Sequence, residues 1–202
     1  MLALVLSLAL SQSLYPGVGR NNALSSTLEP ALAARIWART TGKPTTSPRA
    51  PFTATDFKPV QPRSVAQAMV DGSRELTKEQ SKALVDGLNG GLDVFEQETR
   101  KNNVAHALAF LIGISMQVVN EREVSDAESQ MLAQAINDEL AAAPQFKKLT
   151  PKQKQLLYET SVVVGALIGG MAAEAAERGN AELKAQAKTM AQQALSVFQG
   201  QK

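Results

Sequence analysis

Two long apolar stretches constrain the fold of this chain more than any other feature. Within residues 103–120, only His106, Ser115 and Gln117 have polar side chains between the two terminal asparagines, and residues 162–173 have none. A helix that is apolar on every face has to be buried on every side. We therefore predict an all-α domain with two inner apolar helices and the other helices packed around them.

The composition favours the same class. Hydrophobic residues make up 44% of the 202 residues but aromatic residues only 4%, whereas strands favour aromatic and β-branched side chains. This length fits one domain with appendages. The chain has no cysteine and a single histidine, which excludes disulfides, thiolate ligands and histidine-based metal clusters. We expect no metal and no cofactor.

Helix starts are clearly marked in the second part of the chain. Four sites carry Ser or Thr followed three residues later by Gln or Glu, which is the pattern of a capping box. The four capping residues are Ser64, Thr77, Ser125 and Thr150. Asn102 or Asn103 is predicted to cap the central helix, and Asn180 the last one. Together these starts predict a compact bundle of about six helices in residues 64–202.

Three glycines within residues 87–91 raise the question of a helix break. The apolar residues Leu84, Leu88, Leu92 and Phe95 nevertheless keep spacings of three or four across them. This phase favours one continuous helix, in which the glycines allow a neighbouring helix to approach closely.

The N-terminus has the character of a secretory signal. Residues 1–10, MLALVLSLAL, are almost entirely apolar and are followed by small residues. The run is too short to span a bilayer. We predict a signal peptide over residues 1–13 and an exported protein, periplasmic or secreted. No Lys or Arg precedes the run, so a short apolar N-terminal helix is the alternative.

Residues 14–63 are predicted to form a basic arm and linker. Residues 1–63 hold seven basic and two acidic residues, while residues 64–202 hold 14 basic and 17 acidic ones. A short helix is predicted over residues 30–39, with Pro30 at its first position. Residues 40–62 contain five prolines and six threonines, which indicates a flexible linker. The arm either lies on the helical domain or is attracted to an anionic surface such as a membrane.

His106 is the main candidate for a functional residue. It falls in the first turn of the predicted central helix, where the positive helix end disfavours an imidazolium. We expect a neutral structural histidine that is hydrogen-bonded across to another helix. Asn102 and Asn103 lie within one turn of it and could share a polar contact with it. A general base is the alternative, although no catalytic motif ties a Ser or Asp to it.

The direction of the two inner helices decides the expected partner of His106. An antiparallel pair would bring Glu174 or Glu177 close to it, and a parallel pair Tyr158 or Glu159. We expect the antiparallel arrangement.

Small residues predict a close contact between the inner helices. Gly165 and Gly169 form a G-x-x-x-G pair, and Gly113 offers a matching small surface in the other inner helix. In a membrane the same pair would be a helix-packing motif, so a hairpin that enters membranes is the alternative.

Several classes of function are not supported by any motif. The chain has no P-loop, no dinucleotide-binding G-x-G-x-x-G, no nucleophile elbow and no EF-hand calcium loop. The helical part is net acidic and has no basic stripe interleaved with aromatic residues. We therefore expect no nucleic-acid partner.

The segments NNVAHALAFLIG (102–113) and LTPKQKQLLYE (149–159), with an Ala-rich terminal helix, resemble an uncharacterised family of exported bacterial all-helical proteins over about residues 57–199. The resemblance implies export and a helical fold, and it supplies no activity or site.

The sequence leaves three hypotheses of function open. The first is a non-enzymatic exported protein with a binding or structural role in the cell envelope, whose partner is an envelope protein or surface. The second is a protein that associates with membranes or inserts into them. The third is a hydrolase that uses carboxylates without a recognisable motif. The oligomeric state is open as well.

Overall fold

The computed structural model describes residues 28–42, 49–71 and 76–199. All regular elements in these ranges are helical, which confirms the all-α class. The α-helices are α1 Pro30–Thr41, α2 Val65–Asp71, α3 Lys78–Glu98, α4 Val104–Asn120, α5 Asp126–Ala142, α6 Pro144–Lys148, α7 Pro151–Arg178 and α8 Ala181–Gln199. A short 3-10 helix spans Phe52–Thr55. The predicted signal peptide, residues 1–13, lies outside the described residues.

The helix starts follow the local sequence, with one exception. Capping boxes form at Thr77, Ser125 and Thr150 as predicted. The box predicted at Ser64 does not form, because the buried Glu159 carboxylate of α7 accepts hydrogen bonds from the backbone N–H groups of Ser64 at 3.0 Å and of the next residue at 3.2 Å.

The region after residue 64 has one helix more than the predicted six. Pro144 ends α5 and begins α6, a helix of five residues. A proline is tolerated at the first helical position, where its missing N–H has no partner inside the helix. The glycines within residues 87–91 do not interrupt α3, which confirms the continuous helix, and a Cβ on Gly91 would lie 3.0 Å from Ala166 of α7.

The inner pair, α4 and α7, is parallel. A Cβ on Gly165 would lie 2.6 Å from the Phe110 ring and 3.5 Å from Ile114, and one on Gly169 would lie 3.3 Å from Ile114. Contacts therefore advance along both helices in the same direction, and the antiparallel expectation is wrong. The chain returns through α5 and α6 before α7 begins, which lets α7 run the same way as α4.

The first helix contributes to the same core as the bundle. Leu32, Ala33 and Ile36 of α1 are buried, and α1 packs against α5 and α8. The predicted domain start at residue 64 is therefore not the edge of the packed core. Periodicity alone predicts this helix but not what its apolar face packs against.

Residues 49–63, which we call the strap, are tied to the bundle rather than extended away from it. The N–H of Ala50 donates to Asp138 Oδ1 at 2.8 Å, and the hydroxyl of Thr55 donates to Asn137 Oδ1 at 2.8 Å, both on α5. Further along, the N–H of Val60 donates to Gln155 Oε1 of α7 at 2.9 Å. The described part of the predicted linker is thus held on the bundle by hydrogen bonds to α5 and α7. Residues 43–48 lie outside the described residues.

Candidate functional site

A cleft of about 1040 Å³ runs along α4, between the end of α3 and α5. One face of α4 lines it, through His106, Ala109, Phe110, Gly113, Ile114 and Gln117. Among these, Phe110 and Ile114 are only half-buried. The prediction that α4 is buried on every side therefore fails in part along this face, because the described residues cover these side chains incompletely. Clefts of roughly 300–1,000 Å³ are typical of sites for small molecules.

The wall that α4 forms is mainly apolar, whereas the α5 wall also carries the polar side chains of Asp126, Ser129, Gln130 and Gln134. Phe95 of α3, Phe52 of the strap and Met131 of α5 add apolar surface, and Met131 is 55% exposed. Arg100 and His106 lie at the end where α4 begins. The cleft therefore combines an apolar strip along α4 with polar groups at the start of α4 and along α5.

Asn103 organises the polar end of the cleft. Its side chain is fully buried and its Oδ1 caps α4 by accepting from the N–H of His106 at 3.0 Å. Its Nδ2 donates to the carbonyl oxygen of Phe52 at 2.8 Å and to Asp56 Oδ1 at 2.8 Å. Both of these groups are acceptors only, so the orientation of the amide is fixed by its partners.

This amide fixes the protonation of His106. The imidazole Nδ1 lies 2.9 Å from Asn103 Oδ1, which can only accept. Nδ1 therefore carries the hydrogen, and Nε2 of the neutral ring is an unprotonated acceptor. The ring also packs on Phe52, with 4.5 Å between ring centroids.

The charge of His106 is set by its surroundings. Burial lowers the pKa of the imidazole below its ordinary 6.5, the positive charge of Arg100 lowers it further, and the negative charge of Asp56 opposes this change. His106 is therefore neutral at pH 7.

Asp56 and Arg100 close the end of the cleft with an ion pair. The guanidinium donates from Nε at 2.8 Å and from Nη2 at 2.6 Å to the two carboxylate oxygens. This bidentate hydrogen bond holds the pKa of the Asp56 carboxyl below its ordinary 3.8. Beside the pair, the N–H of Phe57 donates to the carbonyl oxygen of Asn102 at 3.0 Å. The strap is thus fastened to the start of α4 by both backbone and side chains.

The structure brings together three of the residues singled out in the sequence. Asn102, Asn103 and His106 lie together at the start of α4, but the partner of His106 is Asn103 and not a residue of α7. The predicted contact across the helices is wrong because the capping amide, one turn away, already satisfies Nδ1. Tyr158 instead donates to Glu96 of α3 at 3.2 Å.

Of the three glycines predicted to form the close contact between the inner helices, two lie in it and one does not. Gly165 and Gly169 of α7 pack on Phe110 and Ile114 of α4, as expected for a close inner contact. Gly113 does not join them: its nearest side chain is Leu132 of α5, at 3.8 Å from an added Cβ. Gly113 also lines the cleft, and an added side chain there would narrow it.

Sequence reasoning did not connect Phe52, Asp56 or Arg100 with His106. No local pattern connects the first two to His106, since they belong to a stretch that reads as a linker. The possible polar contact of His106 with Asn102 or Asn103 is readable from the local sequence, and the structure has it with Asn103. Within the described residues, no group of three or more His, Asp and Glu could hold a metal ion.

The chain belongs to a family of unknown function, DUF6683, whose family model matches residues 21–201. Neither the search of curated proteins nor the search of solved structures found a match.

Proposed function

We propose that this DUF6683 protein is an exported, non-enzymatic binding protein of the cell envelope, and that the cleft along α4 is its binding site. The observation that carries the proposal is the partly exposed apolar face of α4. A helix as apolar as α4 is expected to be covered on all sides, yet Phe110 and Ile114 stay half-buried along a cleft of about 1040 Å³. Apolar surface bordered by polar side chains in a cleft is typical of a binding site.

Export is supported by the pattern of residues 1–13 alone. The small residues Ala9, Ser11 and Ser13 predict cleavage after Ser11 or Ser13. The protein, expressed in a bacterium with a C-terminal epitope, is expected in the periplasm or medium with a new N-terminus. N-terminal sequencing of the fractionated protein tests this, and an uncleaved chain confined to the cytoplasm would refute export.

The role of the cleft in binding is tested with a substitution at its entrance. Met131→Glu places a charge at the cleft, whereas Val94→Glu places one on α3 outside it, and the two residues are 55% and 54% exposed. The mature protein is used to capture its binding partners, small molecules included, from envelope extracts. We expect Met131→Glu to lose the partners of the wild type and Val94→Glu to keep them. Equal capture by both variants would show that binding occurs elsewhere.

Membrane insertion is the second candidate, and one observation favours it. Helix α7, with 28 residues and a mean hydropathy of 1.6 in its most apolar 18-residue window, is long and apolar enough to cross a membrane. Inside the protein 61% of that window is buried, so insertion would require α7 to leave the core. Sedimentation with anionic liposomes at low and high salt tests both insertion and attraction through the basic arm.

The carboxylate hydrolase receives less support. Glu159 accepts from two backbone N–H groups and from Gln155 Nε2 at 2.7 Å, and Asp56 is paired with Arg100. Both carboxylates are occupied in holding the strap and α2 in place. These contacts indicate structural roles for them.

A further inference from the structure

We infer that the cleft takes a small ligand with an apolar body and one O–H or N–H donor, and that Nε2 of His106 accepts the hydrogen bond from that donor. The inference rests on the proposed binding function and adds to it the chemical class of the ligand. Three features of the cleft carry it: the fixed tautomer of His106, the position of its ring and the apolar surface beside it.

The tautomer is fixed by a chain of hydrogen bonds in which each step forces the next. The carbonyl of Phe52 and the carboxylate of Asp56 require Asn103 to present its NH₂ to them, at 2.8 Å each. Asn103 Oδ1 must then face His106, and it requires a hydrogen on Nδ1. Arg100 holds Asp56 in this orientation through hydrogen bonds to both carboxylate oxygens. The neutral ring therefore has Nε2 as a fixed acceptor.

The position of the ring makes Nε2 available to a ligand in the cleft. His106 is half-buried and lines the cleft, with one side of its ring against Phe52. Nδ1 is used by Asn103, and no donor from the described residues reaches Nε2 within hydrogen-bond distance. A ligand that presents only an acceptor to this atom would meet a lone pair, whereas a hydroxyl or N–H group would bond to it.

The apolar side chains beyond His106 along the cleft specify the body of the ligand. Phe110 and Ile114 succeed the histidine at intervals of four residues, so the strip extends about 12 Å from it at 1.5 Å per residue. Phe95 and Met131 add apolar surface to the cleft, and the α5 side also carries polar side chains, among them Ser129 and Gln130. The strip on α4 fits a planar or aliphatic group whose donor lies at one end.

Phenol and anisole are matched probes for this site. They share an aromatic ring of similar size, but only phenol has an O–H donor. His106 is the sole histidine, so its imidazole nitrogens give one unambiguous set of signals in ¹⁵N–¹H NMR spectra of the full-length protein. We expect the free protein to show the Nδ1–H tautomer, and phenol to bind about five- to tenfold more tightly than anisole with a change at Nε2, the effect of one neutral hydrogen bond.

A His106→Phe variant retains an aromatic ring against Phe52 and removes the acceptor. In this variant phenol and anisole are expected to bind equally. If the variant does not fold, the tautomer and the two titrations of the wild type still decide between the outcomes. An Nε2–H tautomer in the free protein would overturn the inference.

The remaining outcomes separate this inference from the proposed function. Equal binding of both probes to the wild type would overturn the hydrogen bond but leave an apolar binding cleft. Binding of neither probe would overturn the ligand class, while the capture experiment with Met131→Glu tests the binding function independently. Nuclear Overhauser contacts from residues 14–27 to Phe110 in the ligand-free protein would show that the chain fills its own cleft, and would overturn the inference as well.

Discussion

The buried side-chain amide of Asn103 caps α4, forms hydrogen bonds to the strap and sets the tautomer of His106. Asn103→Ala removes the helix cap and leaves the carbonyl of Phe52 and the ring of His106 without their partner. Losing a cap costs about 1 kcal/mol, and leaving buried polar groups unsatisfied costs about 1–3 kcal/mol more. We expect a loss of about 2–4 kcal/mol in the free energy of unfolding, measured by urea denaturation.

The neighbouring residue provides the control. Asn102 has a φ of +53°, in the left-handed region that glycine adopts without strain. Asn102→Gly is therefore expected to change the free energy of unfolding by no more than about 0.5 kcal/mol. Equal losses in both variants would show that the amide of Asn103 contributes little.

His106 predicts a dependence of stability on pH. Burial lowers its pKa in the folded protein below 6.5, so the unfolded chain binds more protons as the pH falls through that value. The contribution of His106 is complete above pH 6.5 and is lost progressively as the pH falls towards the folded pKa. Comparing urea denaturation of the wild type and His106→Gln between pH 7.5 and 5 measures it. The difference in stability between the two should shrink on acidification, and a constant difference would show that the pKa is not lowered.

At the scale of the helices, the contact between α4 and α7 depends on one glycine. A side chain at Gly165 would meet the Phe110 ring, whose nearest atom lies 2.6 Å from an added Cβ. Gly165→Leu is expected to destabilise the protein by about 1–3 kcal/mol through overpacking, and to push Phe110 towards the cleft.

Gly170, on the same helix, is the matched control. An added Cβ there meets no atom within 4 Å. Gly170→Ala should stabilise the protein by about 0.5–1 kcal/mol, because alanine loses less conformational entropy in a helix than glycine. Thermal unfolding of both variants gives the comparison. A neutral Gly165→Leu would mean that the two helices separate without cost.

The sequence predicts helix starts well where the capping partner is local. Thr77, Ser125 and Thr150 each find their partner three residues later, and the structure has all three boxes. Ser64 has the same local pattern, but its partner is Glu159 of a distant helix. A local pattern specifies which hydrogen bonds a residue is able to form, whereas the packing of the helices decides which of these bonds it forms.

The candidate site could be predicted only in part for the same reason. The capping role of Asn103 and the special position of His106 are readable from residues on one helix. The cleft is not, because it depends on where α3, α5 and the strap stop short of covering α4. The composition of the strap, with its prolines and threonines, indicates a linker and carries no sign of the contacts made by Thr55 or Asp56.

At the scale of the whole molecule, α1 belongs to the core that the later helices form. Ile36 is fully buried, between helices that come much later in the chain. Ile36→Ala is therefore expected to cost about 2–5 kcal/mol, as for other large-to-small changes in a core. Differential scanning calorimetry should show one transition at a lower temperature.

Arg35, the adjacent residue, controls for changes to α1 itself. Its side chain is 52% exposed and pairs with Glu139 at 3.5 Å. Arg35→Ala should change the stability by no more than about 1 kcal/mol, since exposed ion pairs contribute little. An Ile36→Ala variant as stable as the wild type would mean that α1 is an appendage, as the sequence alone suggests.

The parallel direction of α4 and α7 also determines when the two helices can pack during synthesis of the chain. Two antiparallel neighbours can dock as soon as a short turn joins them, but α4 has to wait until α5, α6 and most of α7 have left the ribosome. Contacts that are distant in sequence form slowly, because a long loop has to close before they contribute any free energy. The most apolar of the described helices, α4, is therefore synthesised well before its principal partner. Until α7 has been synthesised, the apolar surface of α4 has to be covered by helices that are already made or by a chaperone.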